Sequence, residues 1–172
     1  MSVAAEEGVM RILVTYGSKM GGTESIAETV GDALRELGMD VDVLTPGEVV
    51  SVGDYDAVVV GGALYAGRWH RAARRFVKHH RRALRQRPVW LFSSGPLDDS
   101  ASNGDVPPVP QVRVLMGRIG ARGHVTFGGR MPADASGLVA SSLARHHAGD
   151  WRAPEQIRQW AADLAGQLMA RT

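Results

Sequence analysis

Short apolar runs and amphipathic helical patterns alternate along almost the whole chain. Five runs have the length and the apolar or β-branched character of buried strands. They cover Arg11–Tyr16, Met39–Leu44, Ala57–Val60, Val89–Phe92 and His124–Phe127. Apolar residues three and four positions apart predict helices, which cover Thr23–Leu37, His70–Arg85, Val112–Ile119, Leu138–His147 and Pro154–Met169. This alternation predicts an α/β fold, a doubly wound five-stranded parallel sheet with helices on both faces.

The patterning inside the runs also predicts the positions of two strands in the sheet. The second run, Met39–Leu44, alternates between apolar and polar residues and is therefore expected at an edge. The third run, Ala57–Val60, is continuously apolar and is expected at the centre, buried on both faces. Right-handed crossovers would bring the loops after the first, third and fourth strands to one edge of the sheet. Ligands of such folds bind at that edge.

Length and composition fit one domain with a bound cofactor. The 172 residues and the 44% hydrophobic content suit a single packed core. We expect a flexible N-terminal leader over residues 1–10 and a single domain over residues 11–172. The sequence contains no cysteine, which excludes disulfides and thiolate chemistry, so redox chemistry would need a cofactor. No apolar run approaches the roughly 20 residues of a transmembrane helix, and we expect a cytoplasmic protein, free or at the inner face of the membrane.

The loop after the first strand has the composition of an anion-binding turn. Glycines and hydroxyls lie between a buried strand and a helix N-terminus, where backbone amides and the helix dipole favour a phosphate. The candidate phosphate-binding residues are Ser18, Lys19, Met20, Gly21, Gly22 and Thr23. A nucleotide-binding P-loop would need Lys where Thr23 stands, and the glycine spacing does not fit a dinucleotide fingerprint. The structural alternative is a plain strand–helix turn with Thr23 as the N-cap.

The loops after the third and fourth strands offer flat rings and polar groups at the same edge. Glycines would let a ring system approach the third loop, and Tyr65 and Trp69 offer faces for stacking. Packing in the core is an equally supported alternative for Trp69. Hydroxyl and backbone groups of the fourth loop would hydrogen-bond the edge of a pyrimidine-like ring. The candidates are Ala63, Leu64, Tyr65, Ala66, Gly67 and Trp69 in the third loop, and Ser93, Ser94, Gly95 and Pro96 in the fourth.

The first loop resembles the flavodoxin family, whose phosphate-binding loop reads roughly T/S-x-T-G-x-T. Ser18, Gly21 and Thr23 match this pattern, and Met20 replaces the middle hydroxyl. The segments GGALYAGRW, RFVKHH, VWLFSSGPL and GDWRAPEQIRQWA look like one flavodoxin subgroup, which contains menaquinone-dependent protoporphyrinogen dehydrogenases. The resemblance implies FMN held by the loops near Ser18, Ala63 and Ser93. The segment 130–150 is shorter than in the known dehydrogenases and lacks Trp and Tyr, which argues against porphyrin chemistry.

The predicted helix over His70–Arg85 is strongly basic. Nine Lys or Arg and no acidic residue occur between Arg68 and Arg87, whereas the rest of the chain has 11 basic and 18 acidic residues. One arc of the helix carries Arg71, Arg74, Arg75, Lys78, Arg81, Arg82 and Arg85, and the opposite arc, expected to pack on the sheet, carries Ala73, Phe76, Val77, His80 and Leu84. The basic arc is either a solvated face or a docking face for an anionic partner. Candidate partners are an acidic redox protein, an anionic membrane surface holding quinone, or substrate carboxylates.

Three functions remain open from the sequence. The first is an FMN-dependent oxidoreductase that passes electrons to a quinone acceptor. The second is a flavodoxin-type electron carrier between proteins, although carriers typically present an acidic face. The third is a flavodoxin-like module that has lost FMN, an alternative that rests on Met20. Because the isoalloxazine ring carries the electrons, we predict no catalytic side chain, and the histidine spacing predicts no metal site. No nucleic-acid motif accompanies the basic arc, so we expect no nucleic-acid partner.

Overall fold

A central parallel sheet organises the molecule. The structure is a computed structural model that describes residues 8–18, 21–95, 106–131, 149–150 and 153–171. The parallel strands are β1 (Arg11–Gly17), β2 (Asp40–Leu44), β3 (Ala57–Tyr65), β5 (Val89–Ser94) and β6 (Gly123–Phe127). Their order in the sheet is β2-β1-β3-β5-β6. The prediction of five parallel strands is therefore confirmed, with β2 at an edge and β3 in the centre.

A sixth, short strand was not predicted. Strand β4 (Arg68–Trp69) pairs antiparallel with the end of β3 through a two-residue turn. The turn residues Ala66 and Gly67 both have positive φ, 49° and 72°, as the mirror-image hairpin turn requires. A strand of two residues is too short to show a periodic pattern in the sequence. Strand β3 also continues five residues beyond the predicted end at Val60, because the neighbouring strands pair with Gly61, Gly62 and Ala63.

The long basic helix is in fact two helices. Helix α2 covers Arg71–His79 and helix α3 covers Arg81–Arg85, and His80 between them has φ −96° and ψ 17°. The prediction of one continuous helix over His70–Arg85 was wrong. Periodicity did not register the break, because Phe76 and Leu84 on either side of it are both buried in the same core. The other α-helices among the described residues are α1 (Gly22–Glu36), α4 (Pro110–Ile119) and α5 (Pro154–Met169), close to the predicted bounds.

Helices cover the sheet on both faces, as predicted. Alternate residues of β1 show the division, since Ile12 and Val14 point into one core and Leu13 into the other. Helices α1 and α5 close the first core, and α2, α3 and α4 close the second. Ala73, Phe76, Val77 and Leu84 are buried as expected, whereas His80 is only half-buried.

The connection between β2 and β3 is unusually simple. All of its residues are described, and the only regular element among them is a three-residue 3₁₀ helix, Pro46–Glu48. This crossover therefore adds no α-helix to the layers that cover the sheet. Two further short strands, β7 (Arg130–Met131) and β8 (Gly149–Asp150), pair antiparallel apart from the main sheet.

Several predictions lie outside the described residues. These are most of the leader over residues 1–10, the helix over Leu138–His147, and the candidates Lys19, Met20 and Pro96. Within the described ranges, no helix has both the length and the apolar character needed to cross a membrane.

Candidate functional site

The turn between β1 and α1 leaves one hydroxyl buried and unsatisfied. Gly21 is the N-cap of α1, with φ 78°, and no side chain caps the helix. Thr23 lies inside the first turn with 1% of its surface exposed, and its Oγ1 has no hydrogen-bond partner among the described residues. The alternative in which Thr23 is the N-cap is therefore wrong. The Ser18 hydroxyl accepts a hydrogen bond from the Gly21 amide at 3.1 Å, which closes the turn.

These groups fit a phosphate. The first amides of a helix have no intrahelical acceptor, and the dipole of the 15-residue α1 adds positive potential at its N-terminus. A phosphate oxygen would give the buried Thr23 hydroxyl the acceptor it lacks, at a position where an unsatisfied polar group is costly. Nearby, burial and then the carboxylate of Glu24 raise the pKa of Tyr16 to about 12, so its phenol stays protonated beside the turn.

The double glycine of β3 lies between two aromatic rings of the protein. A Cβ atom on Gly61 would overlap the ring of Phe92 on one face of the sheet, and a Cβ atom on Gly62 would overlap the indole of Trp69 on the other. The glycines do admit rings close to the backbone, as expected, but these rings belong to the core. With 1% of its surface exposed, Trp69 follows the packing alternative rather than the stacking one.

Hydrogen bonds to neighbouring residues hold the β3–β4 hairpin in place, and Tyr65 lies beside its turn. The Trp69 amide donates to Gln111 Oε1 at 2.9 Å, and the His70 amide donates to the Ala63 carbonyl at 2.8 Å. The guanidinium of Arg74 donates to the Trp69 carbonyl at 3.0 Å. Tyr65 is half-buried, as are Ala63 and Leu64, whereas Ala66 and Gly67 are exposed at the turn. Of the two predicted stacking residues, Tyr65 is therefore the one with an accessible side chain.

The end of β5 contains a partly buried serine–histidine pair that was not predicted from the sequence. Ser93 Oγ and His124 Nε2 are 2.8 Å apart. Burial lowers the pKa of His124 to about 4, so the ring is neutral at physiological pH, and no described residue is a partner for its buried Nδ1. The Ser93 hydroxyl is thus engaged inside the protein. The sequence did contain a signal for this pair, because His124 lies in a strand that was predicted next to the strand ending in Ser93.

The sheet brings the three candidate loops together. In the register, Gly17 of β1 lies beside Gly62 of β3, and Ala63 of β3 lies beside Ser94 of β5. Neighbouring strands are about 4.8 Å apart, so Ser18, Ala63 and Ser94 lie at one edge within the width of a small ring system. The Gly95 amide donates to the Phe127 carbonyl at 2.9 Å, and this bond fixes the start of the loop after β5.

The seven predicted docking residues do not form one uninterrupted face. Arg71, Arg75 and Lys78 are exposed on α2, and Arg81, Arg82 and Arg85 are exposed on α3 beyond the break. Arg74 is half-buried and bound to the Trp69 carbonyl, and Arg85 donates to the Arg118 carbonyl at 3.1 Å. The expectation that all seven residues form one continuous basic face was therefore wrong. A docking role for the exposed residues of this set stays a prediction.

Comparison with solved structures gives the class of fold. A flavodoxin of Streptococcus pneumonia TIGR4 superposes with a TM-score of 0.60 at 20% identity, over 91% of this chain and 99% of that one. Flavodoxin 1 of Bacillus cereus has a TM-score of 0.57 at 14% identity, over 91% and 97% of the two chains. The rubredoxin oxygen:oxidoreductase of Desulfovibrio gigas has a TM-score of 0.64 at 14% identity, over 93% of this chain and 36% of that one. The protein has the flavodoxin-like α/β fold.

Sequence comparison gives the family. Residues 13–131 match the family model described as "Flavodoxin domain", and the chain belongs to this family. The chain is also similar to the protoporphyrinogen IX dehydrogenase [quinone] of Escherichia coli strain K12, with 31% identity over 86 residues. The match covers 49% of this chain and 48% of that protein, and the same values hold for the protein of strain O157:H7. The match therefore spans about half the length of these curated relatives.

Proposed function

We propose that this protein binds one FMN at the carboxyl edge of β1, β3 and β5 and acts as an oxidoreductase that passes electrons to a quinone. The observation that carries the proposal is the buried Thr23 hydroxyl, unsatisfied among the described residues, at the N-terminus of α1. Membership of the flavodoxin-domain family and the partial match to quinone-linked dehydrogenases support it. The proposal places the protein in the cytoplasm with access to quinone at the inner face of the membrane.

Each of the three loops has a separate task in this proposal. The first loop, from Ser18 to Thr23, would hold the phosphate through amides and hydroxyls. In the hairpin, Tyr65 would stack on the isoalloxazine ring, and the chain near Ser94 and Gly95 would hydrogen-bond its pyrimidine edge. Bound FMN would supply the reversible two-electron chemistry, so the protein needs to position and shield the ring rather than provide a nucleophile.

The pair formed by Ser93 and His124 would act by holding the loop after β5 in place. Because burial keeps His124 neutral, the imidazole and the Ser93 hydroxyl can share one hydrogen bond without placing a charge beneath the flavin. The backbone of Ser94 then begins the loop from a fixed position. The relatives' name specifies protoporphyrinogen IX, but segment 130–150 of this chain, which lacks Trp and Tyr, argues against that electron donor.

An electron carrier is the second candidate. The observation that favours it is the nearly complete overlap with single-domain flavodoxins, 99% of the Streptococcus chain. The exposed cations Arg71, Arg75 and Lys78 weigh against it, since typical carriers present acidic faces. A flavin-free module, the third candidate, would leave the Thr23 hydroxyl unsatisfied.

The test uses the visible spectrum first and a quinone second. Adding FMN to the purified protein should shift and sharpen the flavin bands with saturation at one FMN per chain. The flavin-loaded protein is then reduced anaerobically and mixed with menadione, with free reduced FMN as the control. We expect oxidation whose rate saturates with menadione concentration only in the protein sample. No spectral change with FMN would support the flavin-free module. Flavin binding without saturable quinone reduction, together with rapid reduction of a one-electron protein acceptor, would support the carrier.

A further inference from the structure

A second candidate site lies beside helix α2 and shares no lining residue with the flavin loops. A groove of about 810 Å³ runs between the 3₁₀ helix and α2. It is lined by Pro46, Gly47, His70, Arg71, Ala72, Arg75, Phe76, Lys78, His79 and His80. The short β2–β3 crossover explains the groove, because one 3₁₀ turn is too small to cover the flank of α2.

The groove is strongly cationic. None of its lining residues is acidic, and Arg71, Arg75 and Lys78 take part in no ion pair within the described ranges. Glu48, the acid of the adjoining 3₁₀ helix, keeps its charge but is not among the lining residues, and its carboxylate accepts hydrogen bonds from the Thr45 amide at 2.7 Å and the Thr45 hydroxyl at 2.9 Å. Desolvation and then the neighbouring His79 lower the pKa of His80. Arg71, Arg75 and Lys78 supply positive charge at neutral pH.

The spacing of these cations selects a particular kind of ligand. Residues 71, 75 and 78 follow one face of α2 and span about 10 Å along the helix axis at 1.5 Å per residue. A molecule with two or more anionic groups matches such a row of three cations better than a single small anion does. Arginine also favours planar or tetrahedral oxyanions that accept two hydrogen bonds at once. The buried ring of Phe76 and the side of Pro46 give the groove an apolar floor suited to a small molecule.

We propose that this groove binds a small organic anion carrying two or more phosphate or carboxylate groups. The row of unpaired cations beside an apolar floor complements such a molecule in charge. This site does not depend on the proposed flavin function, because it shares no residue with the β1–α1 loop. One contact joins the two regions, since a Cβ atom on Gly17 would lie 2.6 Å from His70 Nδ1. The groove therefore begins close to the end of β1.

The experiment measures anion binding to the full chain in the presence of saturating FMN. The probes are inorganic pyrophosphate and citrate, titrated at constant ionic strength by calorimetry and by amide NMR shifts, with chloride as the reference anion. We expect one saturable site whose affected amides belong to α2 and to residues 46–48. Arg75→Ala and Lys78→Ala should each weaken binding about tenfold or more, because each removes hydrogen bonds to a charged group.

Two matched variants separate this site from other causes. Arg82→Ala removes another exposed arginine, which lies on α3 outside the groove. It should change the affinity for the probe anions less than about twofold, because a screened surface charge contributes little. Thr23→Val should leave anion binding unchanged, which excludes occupation of the β1–α1 loop by the probe. An equal loss in Arg75→Ala and Arg82→Ala, or heats that never saturate, would overturn the proposal. Saturable binding of a polyglutamate peptide or of phosphatidylglycerol vesicles without binding of either small anion would also overturn it, in favour of a macromolecular partner.

Discussion

The indole ring of Trp69 lies directly against the backbone of Gly62, so closely that a Cβ atom on residue 62 would overlap ring atoms Nε1 and Cε2. On the other face of the same strand, the ring of Phe92 covers Gly61 in the same way. The double glycine is therefore a packing device. It lets two large aromatic rings approach the central strand just before that strand enters the candidate flavin loop.

Replacing Gly62 by alanine should destabilise the protein. The added methyl must displace Trp69, which is buried and held through its amide by Gln111, so the substitution overpacks the core. Overpacking of this kind costs about 1–3 kcal/mol of the free energy of unfolding. Urea denaturation measures the loss. Gly117→Ala is the matched control, because it adds the same methyl to an exposed site in α4 with no atom within 4 Å, and it should stabilise by about 0.5–1 kcal/mol. A Gly62→Ala variant as stable as the parent protein would disprove the packing role.

Stability should decrease in acid because of His124. Its pKa is about 4 in the folded protein and 6.5 as the ordinary value, so between these pH values the unfolded chain binds a proton that the folded chain does not. The contribution of His124 is complete above pH 6.5 and is lost as pH falls toward 4. The loss is up to about 3 kcal/mol, at 1.36 kcal/mol for each unit of the shift.

The variant His124→Gln isolates this effect. Subtracting its unfolding free energies from those of the parent protein should give a curve that slopes between pH 6.5 and 4 and is flat above. His79→Gln changes an exposed histidine and should leave the slope in place. If the parent protein and His124→Gln have parallel pH profiles, the histidine is not held neutral by burial.

Tyr65 should contribute to flavin affinity through its ring. Stacking of aromatic rings adds about 0.5–1.5 kcal/mol beyond area burial, so Tyr65→Leu should weaken FMN binding by about 2- to 10-fold and increase the fluorescence of bound flavin. Tyr65→Phe, which keeps the ring, should bind FMN with nearly the affinity of the parent protein. Fluorescence titration measures both. Equal affinities of Tyr65→Leu and Tyr65→Phe would mean that the tyrosine ring does not contact the flavin.

Much of this architecture could be predicted from the sequence because it follows from periodicity. The continuous apolar run Ala57–Val60 predicted the central strand, and the alternation in Met39–Leu44 predicted the edge strand. The hairpin at Ala66 and Gly67 could not be predicted, because two-residue strands have no period and the Ala66 conformation is unusual for a residue with a side chain. The break at His80 was missed for a related reason, since both flanking helices keep their apolar residues toward the same core.

The location of the candidate site could be predicted from the sequence, but the roles of its individual residues could not. Strand order alone placed the loops after β1, β3 and β5 at one edge, and the register agrees. The functions of single residues depend on packing that only the fold determines. Trp69 is in the core, and Ser93 is bound to His124, a residue 31 positions away in the chain. The groove beside α2 depends on where the fold places the 3₁₀ helix of the β2–β3 crossover relative to α2, a property that no local pattern encodes.

The most direct test of the account is FMN titration of the Thr23→Val variant. Valine has the shape of threonine without the hydroxyl, so the helix and the core should be unaffected while one hydrogen bond to the phosphate is removed. Such a bond to a charged group is worth about 1.5–3 kcal/mol, and the dissociation constant should rise about 10- to 100-fold. Thr29→Val is the matched control on the same helix, because the Thr29 hydroxyl donates to the Ser25 carbonyl at 2.9 Å. Its dissociation constant should stay within about twofold of the parent value, since that bond is one neutral contact within a helix. An unchanged dissociation constant in Thr23→Val, or an equal loss in both variants, would contradict a flavin phosphate at the N-terminus of α1.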